Sequence, residues 1–288
     1  MVYEVAVISG KGGTGKTTVC AALGFLAGNV VMADCDVDAP DLHILLNPAI
    51  NTTSKFVASQ VAVINEELCT SCGICEDACR FHAIADSHVD TIACEGCGVC
   101  AYVCPENAIT MVDHQSGNLY DSTTRIGRMA HAKLLPGEGN SGRLVTEVRK
   151  LGTKMASQEG ISTVLIDGSP GIGCPVIATV TGITLGIIVT EPTMSGIHDM
   201  QRVLNLLKRF NVRATVIINK YDINLENTKA IEDYCNENDV EVLGRIKFDP
   251  IMTKSMVAAQ TLPEFAANHE ISRLLQKIWN RVSDILTG

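Results

Sequence analysis

Aromatic residues, basic charge and long apolar runs are all scarce in this chain of 288 residues. Aromatics make up 4% of the chain and hydrophobic residues 46%, so we expect a mostly aliphatic core. Lys and Arg number 23 against 32 Asp and Glu, and the net charge of −9 argues against nucleic-acid partners. The N-terminus does not have the basic segment followed by an apolar segment that is typical of a signal peptide, and no apolar run is long enough to cross a membrane. These absences predict a cytoplasmic protein without a nucleic-acid or membrane partner.

Cysteine, by contrast, is plentiful, with 12 residues in the chain. The cytoplasm keeps thiols reduced, so disulfide bonds are not expected in such a protein. Eight of the twelve cysteines lie between residues 61 and 113. A dense cysteine block in a reduced compartment favours metal ligation.

Short apolar runs alternate with segments of helical periodicity along most of the chain. The runs occupy residues 4–8, 30–34, 162–167, 184–190, 213–219 and 241–246. This alternation predicts an α/β fold with a doubly wound, mostly parallel sheet and helices on both faces. Residues 61–113 break the rhythm. We expect them to form a small inserted α+β domain, with 1–60 and 114–288 as the main domain.

A glycine-rich stretch between the first apolar run and the first helical segment satisfies the G-x-x-x-x-G-K-[ST] pattern of a phosphate-binding loop. Backbone N–H groups of such a loop face the phosphates, and the helix that follows adds the positive end of its dipole. Lys16 is expected to reach the β- and γ-phosphates, and the Thr17 hydroxyl to bind Mg²⁺. The predicted nucleotide-binding residues are Gly10, Lys11, Gly12, Gly13, Thr14, Gly15, Lys16, Thr17 and Thr18.

The second lysine of this loop, Lys11, carries a family resemblance. The form "KGGTGKT" resembles the deviant Walker A loop of the MinD/ParA/Mrp family of P-loop ATPases, whose fold belongs to the SIMIBI class. The resemblance implies an ATPase that closes as a dimer, either with a second copy or with a related ATPase. It also implies that Lys11 crosses to the phosphates bound by the partner and acts there in catalysis.

Two acidic strand ends and one asparagine fit the same family. The resemblance gives Asp36, or alternatively Asp38, the role of positioning the attacking water. Asp167, which ends the run "VLID", is expected to hold magnesium through water. Asn219 lies in "INKYD", which matches the guanine-binding N-K-x-D pattern but corresponds to an adenine contact in MinD-like proteins. The bases are therefore not separated by the motif alone, and the resemblance favours ATP.

The cysteine block repeats one spacing. The pattern C-x₂-C-x₂-C-x₃-C occurs twice, displaced by 25 residues, and is that of a bacterial two-cluster ferredoxin, in which the fourth cysteine of each run ligates the other cluster. Zinc, which takes four ligands at a single ion, suits these runs less well. One [4Fe–4S] cluster is assigned to Cys69, Cys72, Cys75 and Cys104, and the other to Cys94, Cys97, Cys100 and Cys79.

Two further features leave alternatives. Cys174 follows the acidic strand end at Asp167 and is either a structural thiol, which we favour, or a metal ligand shared between two copies. The apolar stripe in residues 271–286 suits a core helix or an amphipathic helix on a membrane surface, and we expect the core helix.

The sequence therefore predicts an ATP-hydrolysing iron–sulfur protein with ATP, Mg²⁺ and two [4Fe–4S] clusters as cofactors. Nucleotide-driven dimer closure would control cluster assembly or delivery to a client, or gated electron transfer to a redox partner. The alternative is a positioning or scaffold ATPase whose clusters act as structural or redox sensors.

Overall fold

The computed structural model describes residues 2–288, which divide into two compact units. The first unit contains the chain up to Thr53 together with Leu119–Lys133 and Ser141–Gly288. The second contains Ser54–Asn118 and Leu134–Asn140. The predicted insert, 61–113, falls within the second unit, and its identity as a ferredoxin domain stays a prediction.

Residues 2–288 contain eleven strands and eleven α-helices. The strands are β1 Tyr3–Ser9, β2 Val30–Cys35, β3 Ala49–Ile64, β4 Ile84–Ala85, β5 His88–Val89, β6 Ile109–Thr124, β7 Gly127–Leu134, β8 Thr163–Pro170, β9 Leu185–Thr190, β10 Arg213–Asn219 and β11 Glu241–Ile246. The helices are α1 Lys16–Ala27, α2 Leu42–Leu46, α3 Ile74–Asp77, α4 Val99–Val103, α5 Ser141–Glu159, α6 Cys174–Val180, α7 Met194–Arg209, α8 Leu225–Glu237, α9 Pro250–Val257, α10 Leu262–Phe265 and α11 Glu270–Thr287. A 3₁₀ turn, Tyr221–Ile223, precedes α8.

The main sheet has nine strands in the order β11-β10-β9-β1-β8-β2-β7-β6-β3. The pairings from β11 to β7 are all parallel. The strands β2, β9 and most of β1, β8 and β10 are buried along their length, as expected for parallel strands covered on both faces. The predicted mostly parallel α/β sheet is confirmed. Because parallel strands end at one edge, this order brings the ends of β1, β2, β8 and β9 together.

The first unit has a large aliphatic core, and α11 belongs to it. Ile271, Leu275, Ile278 and Val282 are at most 2% exposed and pack in the same cluster as Leu23 of α1. The core interpretation of this helix is therefore confirmed. In the part of the chain that the structure describes, residues 2–288, no helix combines the length and the apolar character needed to span a bilayer.

The second unit is built around a much smaller core. Its buried cluster consists of Ala62, Ile84, Cys100 and Ile109, and four more cysteines pack against it partly buried. The helices α3 and α4 begin after Gly73 and Gly98, which have φ of 78° and 74°. Because these glycines are 25 residues apart, the repeat seen in the sequence is also a repeat of structure.

Candidate functional site

The phosphate loop lines a cavity of about 520 Å³ in the first unit, a volume typical of a small-molecule site. The loop contributes residues 12–18, and α1 begins at Lys16, so its free backbone N–H groups lie at this cavity. Gly15 has φ of 89°, and a Cβ there would lie 2.4 Å from the side-chain nitrogen of Asn219. A Cβ at Gly10 would lie 2.4 Å from the Cβ of Asp199. The loop therefore requires glycine at both positions.

Lys16 is the buried cation of the cavity. Its Nζ lies 2.7 Å from Asp167 Oδ1 and 3.7 Å from Asp36 Oδ2, and it donates to Thr17 Oγ1 at 3.3 Å. Burial works against the charge of Lys16, but the nearby carboxylates, chiefly Asp167, outweigh it and raise the lysine pKa. The sequence places Lys16 with Thr17, Asp36 and Asp167 in three separate stretches, and in the structure they lie together. Asp38, the alternative to Asp36, is exposed.

Asp34 is a member of this cluster that the sequence prediction missed. It lies on β2 directly opposite Asp167 on β8, and both residues are buried. Burial and the charge of Asp167 raise the pKa of Asp34 well above its ordinary value. One oxygen of each carboxylate, Oδ2, is buried without a hydrogen-bond partner. Unpartnered carboxylate oxygens are ligands of the kind that Mg²⁺ prefers.

Lys11 is held by its own chain. Its Nζ lies 2.7 Å from Glu191 Oε1 and donates to the hydroxyls of Thr193 and Ser195 at 3.1 and 3.0 Å. The other oxygen of Glu191 pairs with Lys220 at 3.0 Å, and Lys220 also donates to the carbonyl of Gly13. Burial disfavours the charge of Glu191, but the hydrogen bonds from Lys11 and Lys220 outweigh it and lower the glutamate pKa.

Asn219 lines the cavity but uses its amide within the protein. Its Nδ2 donates to the carbonyl of Thr14 at 2.7 Å, and its Oδ1 accepts from the backbone N–H of Lys220. The side chain therefore braces the phosphate loop, and a contact with the base stays a prediction. Asp222, the last residue of the N-K-x-D match, accepts from the backbone N–H of Phe248 at 2.6 Å.

The eight cysteines of the second unit line two separate cavities. The first, here the Cys69 cavity, is lined by Cys69, Cys72, Cys75 and Cys104. The second, here the Cys94 cavity, is lined by Cys94, Cys97, Cys100 and Cys79. These are the two sets expected from the sequence, each with three cysteines from one run and the fourth from the other. No three His, Cys, Asp or Glu side chains of residues 2–288 converge so as to hold a single metal ion.

The thiols of these cavities differ in their environment. Hydrogen bonds, first with the backbone of Ser71 and then with the Ser87 hydroxyl, lower the pKa of Cys69. Burial raises the pKa of Cys75 and Cys100. Cys174, at the start of α6 in the first unit, is exposed.

Comparison with known proteins agrees with the fold. An uncharacterized protein of Methanocaldococcus jannaschii is 34% identical over 227 residues, which cover 78% of this chain and 80% of that protein. The iron–sulfur cluster carrier protein of Pyrococcus abyssi is 25% identical over 268 residues, covering 86% and 74%. The septum site-determining protein MinD complexed with Mg-ADP, from Pyrococcus horikoshii, superimposes with a TM-score of 0.64 at 19% identity, covering 100% of this chain and 98% of that one.

The similarity extends to a defined family. Residues 5–262 match the CobQ/CobB/MinD/ParA nucleotide binding domain, a span that includes the phosphate loop, the acidic strand ends and the cysteine block. The chain belongs to the CobQ/CobB/MinD/ParA family of nucleotide-binding domains.

Proposed function

We propose that this chain is an ATP-hydrolysing iron–sulfur protein in which nucleotide-driven dimer closure controls the delivery of a metal cluster or of electrons to a partner. The first unit would bind and hydrolyse ATP with Mg²⁺, and the second would hold two [4Fe–4S] clusters. The observation that carries the proposal is the crossed grouping of eight cysteines around two cavities in a chain with a complete phosphate loop.

The cysteine cavities fit an iron–sulfur cluster better than a zinc ion. A zinc site needs four ligands about 2.3 Å from one centre when these are sulfurs. The cysteines instead surround a cavity, and among residues 2–288 no three potential ligands converge on a point. The crossed ligation matches the two-cluster ferredoxin pattern. When bound, such a cluster exchanges single electrons.

The nucleotide cavity supplies the groups for phosphoryl transfer to water. Loop N–H groups and Lys16 would bind the phosphates, and Asp36, which lines the cavity, would orient the attacking water. Thr17, with Asp34 and Asp167 acting directly or through water, would hold Mg²⁺, which neutralises phosphate charge. Without nucleotide, Lys16 is paired with Asp167.

Lys11 provides the link to a dimer. In the single chain its ammonium group pairs with Glu191 rather than lining the nucleotide cavity. In a closed dimer, Lys11 would leave Glu191 and bind phosphates held by the partner. Lys11→Ala should therefore retain nucleotide binding and lose turnover, because binding uses the chain's own loop. Unchanged ATP turnover in this variant would contradict the dimer mechanism.

The central experiment is anaerobic purification followed by iron and sulfide counting and EPR with and without ATP. Two four-iron clusters predict about eight irons per chain. A chain that retains zinc, or markedly fewer irons after reconstitution, would overturn the cluster assignment. The Lys16→Ala variant is the matched control, because it should keep its iron and lose ATP turnover.

A second measurement separates the two outputs. A cluster carrier should transfer iron to an apo-protein when ATP is hydrolysed, and the Pyrococcus abyssi relative, named as an iron–sulfur cluster carrier, supports this output. An electron donor should keep its iron and change its reduction potential on nucleotide binding. A scaffold ATPase would instead show nucleotide-dependent partner binding that persists with the clusters held in one redox state.

A further inference from the structure

The 25-residue repeat relates the two cysteine cavities residue by residue. The Cys69 cavity is lined by residues 69–75 and by Ser87, Cys104, Ala108 and Ile109. Shifting each of these numbers by 25 in the appropriate direction gives 94–100, Ala62, Cys79, Ala83 and Ile84, all of which line the Cys94 cavity. The two cavities are therefore matched at most positions; Pro105 of the Cys69 cavity and Met111 of the Cys94 cavity have no counterpart in the lining of the other.

Some matched positions are chemically equivalent. The backbone N–H of Ala83 donates to Cys79 Sγ at 3.4 Å, and that of its counterpart Ala108 donates to Cys104 Sγ at 3.3 Å. Each cavity also includes one glutamate, Glu106 in the Cys69 cavity and Glu95 in the Cys94 cavity. Backbone donors to the fourth cysteine and lining carboxylates therefore do not distinguish the cavities.

Hydroxyl groups do distinguish them. Ser87 in the Cys69 cavity corresponds to Ala62 in the Cys94 cavity, and Ser71 corresponds to Gly96. The Oγ of Ser87 lies 3.7 Å from Cys69 Sγ and 3.4 Å from Ser71 Oγ. In the structure the Cys69 thiol donates to Ser87 Oγ, and the Ser87 hydroxyl donates to Ser71 Oγ. A metal-bound thiolate has no proton to donate, so in the loaded protein the Ser87 hydroxyl would turn to donate to Cys69.

We propose that the Cys69 cavity holds the more easily reduced of the two clusters, and that Ser87 is the positioning residue that sets this difference. The inference rests on the proposed function, because it requires two clusters. Reduction adds negative charge, and a hydrogen bond to a ligand sulfur stabilises that charge, which raises the reduction potential. The Cys94 cavity has an alanine methyl at the matched position and is lined by Phe81 and Met111.

One charged neighbour acts in the opposite direction. Arg80 follows Cys79, a residue of the Cys94 cavity, and a cation near a cluster also raises its potential. Arg80 is exposed, lies with its guanidinium 5.5 Å from the Phe81 ring, and does not line the cavity. Water and salt screen an exposed charge, whereas the Ser87 hydroxyl touches the ligand sulfur directly.

The test is an EPR-monitored redox titration of the iron-loaded chain with a one-electron reductant. Ser87→Ala should lower the higher of the two midpoint potentials and leave the lower one in place. Ser87→Gly should give the same shift, because it also lacks the hydroxyl, and the backbone at Ser87 has φ of 62°, which glycine adopts freely. Ala62→Ser should raise the lower midpoint potential, because it adds the missing donor.

A matched control and a spectroscopic signature accompany these variants. Ser59→Ala removes a hydroxyl from the same unit that lies 3.5 Å from Ser116 Oγ and lines neither cysteine cavity, so both potentials should stay unchanged. Proton ENDOR of the reduced chain should show a proton exchangeable in D₂O that disappears in Ser87→Ala.

The outcomes separate the two proposals. Two clusters whose potentials do not respond to Ser87→Ala, or a shift of the lower potential in that variant, would overturn the present inference and leave the proposed function standing. A wild-type chain that takes up no pair of clusters would overturn the proposed function itself. Iron counting on every variant shows that a shifted potential does not come from a lost cluster.

Discussion

In the first unit, the lysines of the phosphate loop form ion pairs with carboxylates of the same chain. In the second unit, the cysteines surround two cavities beside a small core. In the first unit, both loop lysines are ion-paired, Lys11 with Glu191 and Lys16 with Asp167. In the second unit, the buried cluster consists of four residues, and cysteines form much of the apolar packing against it. A core of this size supplies little stability, and in the proposed function cluster ligation would supply the rest. The first unit therefore has a large core of its own, whereas the second is expected to depend on the clusters proposed for it.

The largest expected effect is loss of iron when a cysteine of the second unit is replaced. Cys104→Ala should remove the cluster of the Cys69 cavity, and Cys79→Ala that of the Cys94 cavity, each with loss of about four irons. The single tryptophan, Trp279, packs on the core of the first unit and reports its unfolding by fluorescence. Its unfolding transition should stay in place while the visible absorbance falls. A Trp279 transition that moves with iron loss would contradict the comparison.

The next largest effect is loss of ATP turnover when the first unit alone is changed. Lys16→Ala removes the cation that pairs with Asp167, so ATP turnover should fall by about 10²-fold or more, as for the loss of one charge-stabilising group. The iron content should stay unchanged. Lys150→Ala, which removes a surface lysine paired only with Glu147 in the same helix, is the control and should leave turnover unchanged. Lost iron in Lys16→Ala would show that the second unit is not independent.

A smaller effect concerns stability. Asp34→Asn should raise the free energy of unfolding of the nucleotide-free first unit at neutral pH by on the order of 1–3 kcal/mol. Burial and Asp167 raise the folded pKa of Asp34, so the folded chain binds this proton more tightly than the unfolded chain. Wild-type stability therefore falls as pH rises from the ordinary value of 3.8 through the raised folded pKa.

The pH dependence provides the check on that prediction. Urea unfolding followed by Trp279 fluorescence should show wild type and Asp34→Asn converging at acidic pH and separating as pH rises. The variant should at the same time lose ATP turnover, since Asp34 lies opposite Asp167. A wild-type chain that is more stable than the variant at neutral pH would contradict the destabilising effect of two buried carboxylates beside each other.

The smallest effect tests Asn219. Because its amide braces Thr14 and Lys220, Asn219→Ala should weaken ATP and GTP binding by the same factor, a few-fold for the loss of about one hydrogen bond. Competition binding with both nucleotides measures the ratio. A change in the ATP-to-GTP preference would show instead that the side chain contacts the base, as the family resemblance implies.

The parts of the site that the sequence predicted depend on local spacing. The phosphate loop and the two cysteine runs place their residues within a few positions of each other, and the repeat of 25 survives directly in the structure. Asp167 was predicted because it ends an apolar run, and Asp36 because the family resemblance places a switch aspartate just after the second run. Asp34 was missed although it ends the second apolar run, because the resemblance assigned the catalytic role to a residue two positions later.

Glu191 was missed for a different reason. Its partners Lys11 and Lys220 are distant in sequence, and they meet because β9 lies between β1 and β10, an order that the apolar runs did not specify. The bracing role of Asn219 likewise depends on β10 ending beside the phosphate loop. In both cases the missing information was the order of strands across the sheet.

The pairing of the loop lysines has a consequence for small anions. Lys11 and Lys220 share Glu191, and Lys16 pairs with Asp167, so each of these three lysines has a carboxylate counter-ion within the chain. Free phosphate or sulfate must displace a carboxylate for each lysine it engages, and it gains little charge neutralisation in exchange. A nucleoside triphosphate adds more charge, its own magnesium and the contacts of its base. A nucleoside triphosphate should therefore compete well against such salts for this loop.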